Sequence, residues 1–127
     1  MNYLTKKFIL FASFFWVNYF MGQDVFIEGG GTLDDWANLS KYKSANKSLH
    51  NSFDKVKVVF MGNSITEGWS NFDPNFFSMN SYINRGISGQ TTPQMLIRFK
   101  PDVINLKPKV VVILAGINDI AGNTGLI

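Results

Sequence analysis

The run Lys109–Gly116, KVVVILAG, limits most strongly what this chain can become. Its apolar residues do not alternate with polar ones, so a strand built from them needs apolar neighbours on both faces. Two further segments read as strands. Val56–Gly62, VKVVFMG, is a short apolar run rich in β-branched residues, and Ser81–Gly86, SYINRG, is a weaker strand that also ends in glycine. Between the last two lies TTPQMLIRFKPDVINLKP. Pro93 suits a first helical turn there, and Met95, Leu96 and Phe99 form an apolar stripe. Pro101 should break or kink that helix, with PDVINLK starting a second short turn. Buried strands alternating with helices imply a parallel sheet covered on both sides.

Ahead of the first strand, EGGGT (Glu28 to Thr32) is a flexible lead-in, and TLDDWANLSKYKSANKSL reads as one helix. Thr32 with Asp35 three residues on fits a capping box, and Trp36, Leu39, Tyr42 and Leu49 recur at near-helical spacing. Lys41, Lys43 and Lys47 belong to a solvated face. The chain carries no internal repeat.

With 127 residues there is room for one domain. The composition, 46% hydrophobic and 17% charged, is that of a globular chain. Cysteine is absent, which excludes disulfides, thiolate nucleophiles and cysteine-based metal sites together. No metal or organic cofactor is implied. Residues 1–22 read as a targeting segment. Lys6 and Lys7 precede an apolar core, Phe8 to Met21, that is short for a membrane span, so export with removal is expected and an uncleaved anchor is the alternative. Lys6 and Lys7 are two of 12 basic residues, and the remaining 10 face 9 acidic ones, a net +1. A balance that even offers no broad basic face for nucleic acid.

Function enters through a rule about open α/β sheets: ligands bind beyond the carboxyl ends of the strands. All three strands end in glycine followed by polar residues. These are Gly62-Asn63-Ser64, then Gly86 through Ser88-Gly89-Gln90, and Gly116 through Asn118-Asp119. Ser64 sits where a strand turns into a helix, so its hydroxyl can face solvent near backbone N–H groups that favour a developing oxyanion. Taken alone, it reads more readily as a helix cap. Gly89 allows close approach of a substrate, or is an ordinary turn glycine. Asn118 could donate a side-chain N–H to the same oxyanion, or form a turn in which Asp119 caps the next segment. The hydrolase elbow G-x-S-x-G does not fit, because Thr66 stands where its second glycine belongs. A P-loop fails too, since no Gly-Lys-Ser/Thr comes after the strand.

The three segments together resemble blocks I, II and III of the SGNH (GDSL-type) hydrolases. VVFMGNSITEGW is similar to the GDS block, INRGISGQTTPQML to the glycine block and VVVILAGINDIAGNTG to the G-x-N-D block. The resemblance runs from about Asp34 to the end of the chain. It implies a flavodoxin-like three-layer α/β/α sandwich with a parallel sheet. It also implies an ester hydrolase, with Ser64 as nucleophile and an oxyanion hole from the Ser64 and Gly89 N–H groups and the Asn118 side chain. Secreted relatives often act on acylated carbohydrates or lipids, so a small ester of that kind is the expected substrate.

Two departures stand out. Asn63 replaces the family's usual Asp, and the D-x-x-H block that carries the general base is not among these residues. His50 precedes the first strand in a polar linker and reads as a solvated surface histidine. The expectation is therefore that residues 23–127 are the amino-terminal portion of such a domain, ending after its third strand, with little hydrolysis of its own. The rival expectation is a non-catalytic carbohydrate- or ligand-binding module on the same scaffold.

Overall fold

The computed structural model describes residues 30–52 and 55–122. The targeting segment expected over residues 1–22 lies outside the described residues. Along the chain come α1 (Lys43–His50), β1 (Val58–Gly62), α2 (Ser64–Phe72), α3 (Pro74–Ser78), β2 (Tyr82–Gly86), α4 (Thr92–Asp102), a 3-10 turn (Ile104–Leu106), β3 (Val110–Leu114) and α5 (Ile117–Ile120). The strands form one sheet in the order β2-β1-β3. Both pairings are parallel, with Val58 opposite Tyr82 on one side and Val110 on the other. Gly62 at the end of β1 is level with Gly86 and Leu114, so the three carboxyl ends finish together.

Alternation along β1 explains the layering. Val59 and Met61 turn to one face, where they join Val56, Met95 and Val103 in a core that Leu49, Ile83, Phe99 and Leu106 flank. Phe60 turns to the other face and meets Trp69, Phe76, Phe77 and Tyr82 edge-on or tilted, with ring centroids 5.4 to 5.6 Å apart. Thus α1 and α4 cover one side, and α2 and α3 the other, which is a three-layer α/β/α arrangement. Crossover handedness requires this division. The first connection steps outward from β1 to β2, whereas the second returns across β1 to β3, so connections of one hand must use opposite faces.

At the end of β2 the packing is tight enough to demand glycine. A Cβ on Gly86 would lie 2.1 Å from the backbone nitrogen of Glu67 and 2.7 Å from its Cα. Helix α2 therefore rests directly on the end of β2, and Asn84 fastens it by donating to Thr66 O and to Ser70 Oγ.

Three sequence expectations change. The helix expected across residues 32–49 exists only as Lys43–His50, and the stretch before it folds as successive turns. The expected cap contact is present, with Thr32 Oγ1 accepting from Asp35 N at 3.1 Å. Propagation then fails, because the Asp35 carboxylate accepts from Leu39 N and Ser40 N at 2.7 and 2.8 Å and Asn38 adopts a left-handed φ of 54°. Side-chain acceptors of this kind compete with helical hydrogen bonds.

In α4 the helix runs one residue past Pro101, and the second turn follows as the 3-10 segment. Leu96 leaves the expected apolar stripe, being 76% exposed, while Gln94, Met95, Arg98 and Asp102 form the buried face. Finally, the five residues of β3 are between 37% and 57% exposed, because β1 is the strand's sole partner among the described residues.

Candidate active site

In a sheet of order 2-1-3, the direction of winding reverses between β1 and β3, and a crevice opens at their carboxyl ends. Ser64 follows β1 at this point. It is the first residue of α2 and is exposed, but it does not cap the helix. The capping residue is Asn63, whose Oδ1 accepts from Ile65 N at 3.1 Å. The Ser64 hydroxyl makes no hydrogen bond among the described residues. The Asn63 side chain is fully buried, and its Nδ2 has no partner there. An aspartate at this position would present a second acceptor instead of that unpaired donor.

Gly89 lies in the turn between β2 and α4 with φ 76°, a left-handed conformation that glycine adopts without steric cost. The start of this turn is tied to β1, as Ile87 N donates to Gly62 O at 3.0 Å. Asn118 sits in α5 after β3, and its Nδ2 donates to Gln90 O at 2.9 Å. The structure therefore brings the three predicted segments to one sheet edge, and it joins the second and third directly through Asn118. One N–H of the Asn118 amide is committed to Gln90, which leaves the second for other use.

Asp119 has a different role from the one its sequence suggests. Instead of capping the segment that follows it, its carboxylate accepts from Thr92 N, at 3.1 Å to each oxygen, and from the Thr92 hydroxyl at 2.6 Å. Block III thus caps the helix that begins within block II. The Thr92 hydroxyl holds the Asp119 carboxyl below its ordinary pKa.

Glu67 escaped the sequence reading altogether. From α2 it reaches over the second loop, accepting from Ser88 N at 2.7 Å and from the Ser88 hydroxyl, and it also pairs with Lys41. Partial burial pushes its pKa up, but the bonds from Lys41 and Ser88 outweigh that and leave it below the ordinary 4.5. A carboxylate with a depressed pKa stabilises the fold above its unfolded-state value and loses that contribution as pH falls through the folded-state value. Acidification below about pH 4.5 should therefore lower the melting temperature of the native chain more steeply than that of Glu67→Gln. Parallel acid melts of the two proteins check this, and identical slopes would remove Glu67 from the acid response.

His50 is exposed and lines a cavity of about 340 Å³ together with Val56 and Lys109. Those residues precede β1 and β3, so the histidine is at the amino ends of the strands, opposite Ser64. Among the described residues no group of three His, Asp or Glu side chains could hold a metal ion, and no helix is long and apolar enough to cross a membrane.

A doubly wound parallel α/β domain, with its polar loops gathered at the switch point, is the class that this fold and site define. The family model of GDSL-like lipases and acylhydrolases matches residues 60–126, and the chain belongs to that family of hydrolases. Among solved structures it is similar to a candidate acylhydrolase from Bacteroides fragilis, 58% identical with a TM-score of 0.67. That match covers 72% of this chain and 45% of the other. A GDSL-like lipase from Bacteroides thetaiotaomicron is 54% identical with a TM-score of 0.66, over 71% of this chain and 44% of that one. The chain thus spans less than half the length of these structures. No curated protein matches it.

Proposed function

We propose that this chain carries the nucleophile half of a serine ester hydrolase. The observation that supports the reading best is the division of labour at the start of α2. Asn63 does the capping, so the exposed Ser64 hydroxyl has no structural duty among the described residues. In this reading Ser64 Oγ attacks the ester carbonyl carbon, the alcohol leaves, and water hydrolyses the resulting acyl-serine. The oxyanion is held by the N–H groups of Ser64 and Gly89 and by the Asn118 amide, and the loss of one such donor costs about 10²–10³ in rate.

A serine hydroxyl at neutral pH needs a base to be an effective nucleophile. His50 is at the wrong end of the sheet to supply it, so the base comes from a D-x-x-H segment outside these 127 residues. The substrate is a small ester, of the kind found on acylated carbohydrates or lipids, and the protein is exported on the strength of residues 1–22.

The test is a chimera that continues from Ile127 into the remainder of the Bacteroides fragilis relative. Treated with a fluorophosphonate, it should gain one covalent phosphonyl group, which peptide mass spectrometry finds on Ser64. Labelling on other serines, or none in a folded chimera, would count against the reading.

A further inference from the structure

The loops after all three strands trace back to one buried side chain. Arg98, on α4, is 0% exposed. Its Nη2 donates to Gly62 O at 3.2 Å, its Nε donates to Gln90 Oε1, and its Nη1 donates to Asp102 Oδ2 at 3.0 Å. Gly62 closes β1, two residues before Ser64. Gln90 follows Gly89, and its backbone carbonyl is the one that accepts from Asn118 Nδ2. The same glutamine donates through Nε2 to Ala37 O at 2.7 Å, so its side chain is held at both ends. A guanidinium is a rigid planar fork, and that rigidity fixes the distances between the groups it bonds. An ion pair serving stability alone would need only Asp102. The two remaining donor directions run to the strand-end loops that carry Ser64 and Gly89.

We propose that Arg98 is a positioning residue: its guanidinium sets the Ser64 turn relative to the Gln90 carbonyl that seats Asn118. The proposal rests on the reading of Ser64 and Asn118 as parts of one site. Lysine would keep a positive charge beside Asp102, but as a compact donor on a flexible stem it does not reproduce the fork.

The test uses the ¹⁵N-labelled chain and two variants. Arg98→Lys retains the charge, whereas Arg98→Met/Asp102→Leu removes both members of the pair, so that neither is left buried without the other. The readout is the Asn118 side-chain amide, followed by chemical shift and hydrogen exchange in variants that still melt cooperatively. The expected result is a shift of that amide toward the position of a solvated asparagine, with exchange faster by about tenfold, as for a lost hydrogen bond worth about 1.4 kcal/mol. The Ser64 and Gly89 backbone amides should move with it, while those of Phe76 and Phe77 on the opposite face of the sheet stay in place. An unchanged Asn118 amide in either folded variant would overturn the proposal. Turnover plays no part in this readout, so a failure of the ester-hydrolase reading would appear separately, in the phosphonate labelling.

Discussion

Ser64→Ala, made in the chimera that supplies the general base, should lower kcat on a short-chain nitrophenyl ester by about 10⁴-fold or more while leaving the melting temperature in place. Both halves of this expectation come from one local arrangement. In the proposed mechanism the hydroxyl is the atom that forms the acyl-enzyme. The helix does not depend on it, since Asn63 Oδ1 caps α2 and the exposed Ser64 hydroxyl bonds to nothing among the described residues. An exposed substitution with no structural partner is ordinarily neutral within about 0.5 kcal/mol. Steady-state kinetics and a thermal melt on the same preparation check the pair of outcomes. Hydrolysis surviving in the alanine variant would remove Ser64 from its role. Lost hydrolysis with a collapsed melt would show a structural part for the hydroxyl instead.

Asp102→Ala should have the largest effect on stability, about 3–5 kcal/mol. The aspartate is 1% exposed and holds two partners, Asn46 Nδ2 at 2.6 Å and Arg98 Nη1 at 3.0 Å. Removing the carboxylate strands the Arg98 cation in a site that water does not reach. It also deprives Asn46 Nδ2 of its acceptor, so α1 loses a link to α4 and is left with the bonds that Arg85 Nε and Nη2 donate to Asn46 Oδ1 at 3.0 and 2.6 Å. Domains of this size are stable by about 5–15 kcal/mol in total, so such a loss would remove a large share of the stability. Urea titration measures it directly. A cost below about 1 kcal/mol would mean that Arg98 finds another partner or solvent, contrary to its burial.

The strands were legible because each depends on local chemistry, although β3 ends at Leu114, two residues before the expected Gly116. An unbroken apolar run such as Val110–Leu114 suits a strand with neighbours on both faces. The convergence of Ser64, Gly89 and Asn118 on one edge followed from parallel topology alone. What escaped was decided by contacts distant in sequence or by side chains that displace backbone hydrogen bonds. The turns before α1 carry a helical apolar rhythm, yet Asp35 and the left-handed Asn38 divert the chain. Arg98 and Asp102 gave a usable signal, being oppositely charged residues four apart and nearly in phase with Met95. Charge alone, however, does not reveal that the pair is buried. Nothing local marked Glu67 as the acceptor for Ser88, because the two meet only once β2 has brought the second loop beside α2.

Among the described residues the outer edge of β3 is unpaired. Its N–H and C=O groups on that side face away from β1, and its Val, Ile and Leu side chains are open to water. A strand in this condition is a template for further strands, including those of other copies, and branched apolar side chains favour such growth. The strand that delivers Asn118 to its place is therefore, among the described residues, bonded along one edge alone, and its other edge is the seat where a further strand would add.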